Sequence, residues 1–433
     1  MAETLKSKIR LDVIVIGAGI SGLAAALEIA ISGHDVTVLE AAGGIHEVGN
    51  GIQVTPNCAR ILQRWGLSDE FWASAAEPSY LALHRYSGSL LVLEKDFNKK
   101  LRSKYGAPLV DLHRVDLQNA LYTRARELGI QFRFGMRIID MNFDTGILVS
   151  QSGVRAWGDL IVSADGLWSQ CRGKLLSSDP EDAPKPTGDL AYRLVFTLDQ
   201  IQDPDLRELV NKPSCHLWLG PMSHAVGYSL RSGTMYNIVL LVPDDMPSGT
   251  SKQLGSIEEM KALFKGWDPI LNKFLDIVET VNKWKLMHRR EMPKWINESN
   301  RGKFVFVGDS CHPMLPYLAQ GANSAVEDGT VLGRLLGHIQ SKAQIGKALK
   351  MYEKLRKPRG DAIVKETFQQ REFFHMIDGP EQQKRDEIFL SQLGKEITEV
   401  PFPLRWLCPQ VQPWLFGYDA YTEVDLAVRE DPF

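Results

Sequence analysis

The stretch LDVIVIGAGISGLAAALEIAISGHDVTVLE, residues 11–40, constrains the fold more than any other part of the chain. Leu11–Ile16 is a short, unbroken apolar run, as a parallel strand buried on both faces requires. Gly17-Ala-Gly19-Ile-Ser-Gly22 follows, then a helix-period segment from Leu23 to Ile31, a stop at Ser32-Gly33, and a second strand Asp35–Leu39 ending at Glu40. Glycines at 17, 19 and 22 suit, in turn, a tight turn, a close backbone approach to a pyrophosphate, and helix-on-strand packing. Glu40 lies 18 residues past Gly22, where an acid accepts hydrogen bonds from ribose hydroxyls and repels a 2′-phosphate. The unit therefore predicts a bound adenine dinucleotide of the FAD or NAD type rather than NADP. It also explains the apolar run Val13–Ala30, which Gly17, Gly19, Ser21, Gly22 and Glu28 interrupt too often for a membrane span.

At 433 residues the chain has room for two or three domains. Its 50 basic and 53 acidic residues leave a net charge of −3, which offers no field for nucleic acid or an anionic membrane and favours a small-molecule partner. The five cysteines are scattered, with no CxxC pair and no His/Cys cluster at ligand spacing, so reduced thiols, a cytoplasmic protein and no metal are expected. Downstream, Arg114–Arg126 has helical spacing, Gln131–Ile139 and Ile147–Val149 read as short strands, and Asp159–Ala164 is a buried-type strand running into Asp165-Gly166. From Asp189 to Val242 the texture alternates, as in an antiparallel sheet. The first texture returns with Lys303–Val307, Gly308-Asp309 and a helix over Ala322–Ile339; the last 70 residues read as helix and then Pro/Trp-rich coil. The expected architecture is α/β: a Rossmann-like nucleotide-binding domain over 1–185, with an excursion near 77–108, and an inserted, mainly antiparallel substrate sheet over 186–290. The nucleotide domain resumes over 291–360, and a helical and coil region fills 361–433.

Four segments carry a resemblance: Glu47–Asn57 (EVGNGIQVTPN), His113–Leu117 (HRVDL), Ser163–Ser169 (SADGLWS) and Gly308–Asn323 (GDSCHPMLPYLAQGAN). Together they resemble the single-component FAD-dependent aromatic hydroxylases of the p-hydroxybenzoate hydroxylase family, and most closely the salicylate-hydroxylase-like branch found among fungal secondary-metabolism enzymes. The resemblance spans nearly the whole chain. It implies FAD held by Gly17, Gly19, Gly22, Glu40, Gly51, Arg114, Asp165, Gly166 and Asp309, with Gly321 and Ala322 at a helix start facing the flavin. Asp309, just after a strand, is placed to meet a ribose or ribityl hydroxyl, and a helix N-terminus supplies free N–H groups and positive potential. NADH or NADPH is implied as a transiently held co-substrate, since no second GxGxxG appears. The resemblance further implies O₂ as the second co-substrate, attack by an electron-rich aromatic ring on the distal oxygen of a flavin C4a-hydroperoxide, and a monomer or homodimer.

For the substrate, Arg193 lies in the apolar strand LAYRLVF, where a charge is costly unless paired or set at a cavity; an outward-facing edge arginine is the alternative. The branch's substrate-facing Arg, His and Tyr correspond to Arg193, His224 and Tyr228, which are thereby implied as catalytic. His46 and Glu47 are expected near the flavin ring, Asn50 stands where the branch has Ala, and His312 reads as a packed loop residue. Two other classes share the N-terminal fingerprint: flavin oxidases or dehydrogenases, and non-enzymatic proteins of the dissociation-inhibitor type.

Overall fold

The computed structural model describes residues 5–45, 49–298, 303–398 and 400–433; His46 and Glu47 fall outside them. The opening strand Asp12–Ile16 pairs in parallel with Leu160–Ser163 on one side and Asp35–Leu39 on the other. Lys303–Phe306 and Gln131–Arg133 extend the parallel sheet, and Ile296–Glu298 closes one edge antiparallel, giving six strands. The helix after the glycine turn starts at Ile20, three residues before the sequence periodicity begins, with Gly19 as its N-cap. It packs against Gly321–His338 along bare backbone: a Cβ on Gly329 would stand 2.6 Å from Ala25 N, and one on Gly333 2.6 Å from the Glu28 carbonyl carbon. Glycine is what permits that approach.

An eight-stranded sheet forms the second layer, ordered Lys252–Leu254, Asn282–His288, Lys185–Thr197, Met235–Pro243, Ser223–Leu230, Cys215–Gly220, Leu81–Arg85 and Leu90–Glu94. Its period-2 alternation divides the central strand cleanly. Leu190, Tyr192, Leu194 and Phe196 enter a core under the helices Ile257–Leu263 and Pro269–Asp276. Ala191 and Arg193 point the other way, into a cavity. A two-stranded ribbon, Gly51–Val54 with Val110–His113, runs between the layers.

Three expectations need correction. Gln131–Ile139 is not one strand: pairing with Asp35–Leu39 ends at Arg133, and Ile138–Asn142 belongs to a separate antiparallel sheet. The C-terminal coil is largely helical, with Val411–Phe416 and Ala420–Glu430 following Pro380–Ser391. The boundary expected at residue 360 falls inside one 30-residue helix, Ile345–Phe374, which continues through Pro358. Buried ion pairs flank that proline, Arg356 Nε with Asp328 Oδ1 and Arg359 Nε with Glu327 Oε2, both at 2.8 Å, and they hold the turn that loses its N–H donor.

Candidate active site

The glycine turn sits at the carboxyl ends of the parallel strands. Gly17 has φ +101°, and a Cβ there would meet Ala164 O at 2.6 Å; one on Gly22 would meet Gly17 O at 1.9 Å. These two are closed by packing. Gly19 has no heavy atom within 4 Å of its would-be Cβ, so the face it presents is open. At the end of the neighbouring strand, Glu40 accepts from the N–H groups of Ala18 (2.7 Å) and Ala42 (2.8 Å), which ties its carboxylate to the turn. Asp165 is used differently from the expectation. Its Oδ1 accepts from Ser163 Oγ and its Oδ2 from the N–H groups of Gln170 and Cys171, at the start of the helix Gln170–Leu175. Asp165 thus shapes the turn, while Gly166 (φ +74°) has open space at its Cβ position.

Ile20, at the first turn of the opening helix, also lines a cavity between the two sheets. Eight of the sequence-predicted residues meet in its walls: Gly51, Arg114, Arg193, His224, Tyr228, Asp309, Gly321 and Ala322. The remaining six, Gly17, Gly19, Gly22, Glu40, Asp165 and Gly166, are not in its lining and lie at or just beyond the carboxyl ends of the parallel strands. Arg114 is open to the cavity, and its side chain fills the space over Gly49. Asp309 is also accessible from the cleft, yet protein encloses it, and this burial raises its pKa against the pull of His312 and Arg114. The helix Gly321–His338 begins beside it without a side-chain cap, which leaves backbone N–H groups unsatisfied at the cavity wall.

On the sheet side, His224, Val226 and Tyr228 share one face of a strand, and Ala191 and Arg193 that of another. Gly51 is the only size that fits between ribbon and sheet: a Cβ would meet the Tyr228 ring at 2.6 Å and Asn237 Cγ at 2.7 Å. Its N–H donates to Asn237 Oδ1 at 2.9 Å. Arg193 lies in a central strand, flanked on both sides, so the edge reading fails. Its guanidinium is 5.7 Å from the Trp284 ring, and its Nε is buried without a hydrogen-bond partner. Burial first, and then the Arg114 charge, lower its pKa, with Tyr228 opposing.

Other residues of this site gave no signal in the sequence. Gln53 lines the cavity floor and donates to the buried Asp111 at 2.9 Å, and His375 bonds His224 from a helix end 151 residues away. His312 is packed as expected, its ring tilted against that of Trp295 at 4.8 Å between centroids and bonded through Nε2 to Asp328 Oδ2 at 2.5 Å. Cys311, His312 and Asp328 are close enough to suggest a metal, but the Arg356 guanidinium bonds the same carboxylate and occupies the place of a cation.

Residues 10–367 match the family model described as FAD binding domain. The chain is 47% identical over 422 residues to the FAD-dependent monooxygenase OpS4 of Beauveria bassiana (strain ARSEF 2860), covering 96% of this chain and 97% of that one. This protein belongs to the FAD-dependent monooxygenases. It is also 31% identical over 397 residues to a 3-hydroxybenzoate 6-hydroxylase of Klebsiella oxytoca, covering 91% and 95% of the two chains. A salicylate hydroxylase substrate complex shares its fold, with a TM-score of 0.77 at 22% identity over 97% of this chain and 98% of that one. The enzyme is therefore an oxidoreductase with FAD as its cofactor, which sets aside the dissociation-inhibitor class. Its residues suit that cofactor: a turn bare of side chains at Gly19, an acceptor at a strand end, and an uncapped helix N-terminus. Among the described residues no helix is long and apolar enough to cross a membrane.

Proposed function

We propose that this monooxygenase hydroxylates an aromatic ring bearing an acidic or phenolic oxygen, using O₂ and either NADH or NADPH. The observation that carries the reading is Arg193: a half-buried arginine at the cavity wall whose Nε is buried without a hydrogen-bond partner, in the otherwise apolar stretch Leu190–Phe196 of its strand. A guanidinium donor buried without an acceptor calls for an anionic partner, and charge-assisted hydrogen bonds to a carboxylate or phenolate are the strong ones. The relatives point the same way, since the Klebsiella oxytoca protein is named for 3-hydroxybenzoate and a fold neighbour for salicylate.

In this reading Gly17, Gly19, Gly22 and Glu40 hold the adenine half of FAD, and Gly166, Arg114 and Asp309 hold its middle. Gly51, Gly321 and Ala322 frame the ring. When bound, FAD supplies hydride acceptance from the nicotinamide and activation of O₂. The chain's own residues do the rest. Arg193 orients the substrate's anionic group, Tyr228 hydrogen-bonds it, and His224 takes the proton of the ring hydroxyl so that the ring becomes electron-rich. The apolar walls Val226, Val239, Leu241 and Leu315 keep water from the reacting face.

The test is a screen of hydroxybenzoates, salicylates and polyketide phenols for stimulated NAD(P)H consumption by the FAD-loaded protein, with products identified by mass. At least one is expected to gain a single oxygen. In Arg193→Leu the flavin is expected to stay bound while NAD(P)H oxidation releases hydrogen peroxide instead of product. Normal coupling in that variant would remove Arg193 from the substrate site.

A further inference from the structure

His224 is 3% exposed and lines the cavity, yet it is not an isolated base. Its Nδ1 lies 2.8 Å from His375 Nε2, and the rings pack at 5.0 Å between centroids. His375 caps the carboxyl end of the long helix Ile345–Phe374, and its Nδ1 is 3.8 Å from Asp189 Oδ1. That is an ion-pair distance, so the carboxylate acts on the ring through charge. Asp189 is 1% exposed and is held rigidly: Tyr317 Oη donates to its Oδ2 at 2.5 Å, Arg371 Nη2 donates to its Oδ1 at 2.8 Å, and Arg371 Nε also bonds Oδ2. Arg371 is 30% exposed, so the row reaches solvent. The row crosses two strands, the Pro-rich turn and a helix terminus.

We infer that His375 and Asp189 are positioning residues that set the tautomer of His224 and carry the substrate's proton away from the cavity. The inference rests on the proposed role of His224 toward a ring hydroxyl. A carboxylate facing His375 Nδ1 favours the proton on that nitrogen, which leaves Nε2 as an acceptor. His224 must then donate from Nδ1, and its Nε2, which makes no hydrogen bond among the described residues, is left as the basic edge on the cavity side. The proton balance follows. The ring O–H bond breaks and an N–H bond forms at His224 Nε2, while the His224 Nδ1 proton moves to His375 Nε2. His224 ends neutral in its other tautomer, and the imidazolium is His375, which faces the Asp189 carboxylate at a helix carboxyl end, where positive charge is favoured. The 8% exposure of the His375 side chain lets its Nδ1 proton pass to water, which leaves Nε2–H on both rings. The resting pair returns when His224 Nε2 gives its proton to the product's ring oxygen, the His375 Nε2 proton moves back to His224 Nδ1, and His375 Nδ1 takes a proton from water.

The charged and titratable groups facing this pair are Asp189, Arg371 and Tyr317. Burial, and for His224 also His375, depresses both imidazoles, His224 well below the usual range and His375 to about 4, with Asp189 partly offsetting the latter. Both rings are accordingly neutral, and able to accept, at physiological pH.

The experiment uses the FAD-loaded full chain. Histidine-selective ¹⁵N NMR, assigned by loss of signals in His375→Gln and His224→Gln, is expected to show Nδ1–H on both rings; a proton on His375 Nε2 reverses the row and overturns the inference. The second readout uses a phenol found active in the screen. In both His375→Gln and Asp189→Asn, kcat should fall about tenfold to a hundredfold while KM stays within about threefold, and the apparent pKa of the bound phenol, read from its phenolate absorbance, should rise by about one unit. An unchanged phenol pKa and pH profile in both variants would overturn it as well. If no phenol is turned over, the proposed substrate class fails, and the tautomer measurement still decides the geometry.

Discussion

Glu40 shows how much one side chain determines. Its two oxygens hold the N–H groups of Ala18 and Ala42, so the carboxylate that we propose meets a ribose also shapes the glycine turn beside it. Removing it in Glu40→Ala forfeits charge-assisted bonds of about 1.5–3 kcal/mol each. FAD affinity is expected to fall about tenfold to a hundredfold, at about 1.4 kcal/mol per factor of ten. Fluorescence titration of the apoprotein with FAD checks this, and a wild-type affinity would show that Glu40 has no part in the cofactor site. Glu40 was legible because the fingerprint is local: its members lie within 24 residues and their spacing is their meaning. Asp165 shows the limit of that legibility. Its position after a strand was readable, but the use of its carboxylate on Gln170 and Cys171 was not, because a turn of this kind is defined by backbone angles rather than by residue type. His375 was beyond reach: nothing in REFFHMIDG marks a histidine that meets another from 151 residues away.

At the level of elements, the helix Gly321–His338 connects the site to the frame. Its open end faces the cavity, and nearly two turns later the adjacent acids Glu327 and Asp328 engage the next helix through Arg359 and Arg356. Burial would raise both carboxyls. The Arg359 and Arg356 charges outweigh it at Glu327, while His312 and Arg356 hold Asp328 down to about 2. Asp328 also accepts from Gly308 N–H at 2.9 Å, next to Asp309 in sequence. Asp328→Asn would leave a fully buried Arg356 short of a counter-charge, a class of change that costs about 3–5 kcal/mol. A lower urea midpoint together with weakened FAD retention is expected, since the turn bearing Asp309 loses its anchor; unchanged values for both would show the cluster to be dispensable. This cluster also accounts for the helix continuing past the boundary expected at residue 360: the ion pairs that offset the penalty of Pro358 come from a different helix. The strand bearing Arg193 was readable for the opposite reason, since alternation is written residue by residue and only the choice between cavity and edge needed the sheet.

Across the whole molecule, acid response is set by two opposed populations. Burial is the leading cause of depressed pKa values at His34, His84, His216, His224, His288, His338 and His375. The folded state then binds fewer protons than the unfolded one below about pH 6.5, and each such group loses stability as pH falls. His312 is raised, with Asp328 overcoming burial, and burial raises Glu28, Asp111, Asp309 and Asp361; these bind more protons when folded and work in the other direction. A bulk melting curve against pH therefore mixes both signs, and one histidine must be isolated. His216 suits this purpose. It is 8% exposed, lies 3.1 Å from Tyr80 Oη and 3.2 Å from His84 Nε2, and is pushed down to about 3 by burial and then by His84. Between pH 6.5 and 5 the unfolded chain protonates this residue and the folded chain does not, which amounts to about 2 kcal/mol at about 1.4 kcal/mol per pH unit. His216→Gln cannot take up that proton in either state. Whatever the variant loses at pH 7, its further loss on going to pH 5 should be about 2 kcal/mol smaller than that of the wild type, as measured by urea unfolding at the two pH values. Equal losses would mean that His216 already carries its proton in the folded sheet, with Tyr80 and His84 arranged around a cation rather than a neutral ring.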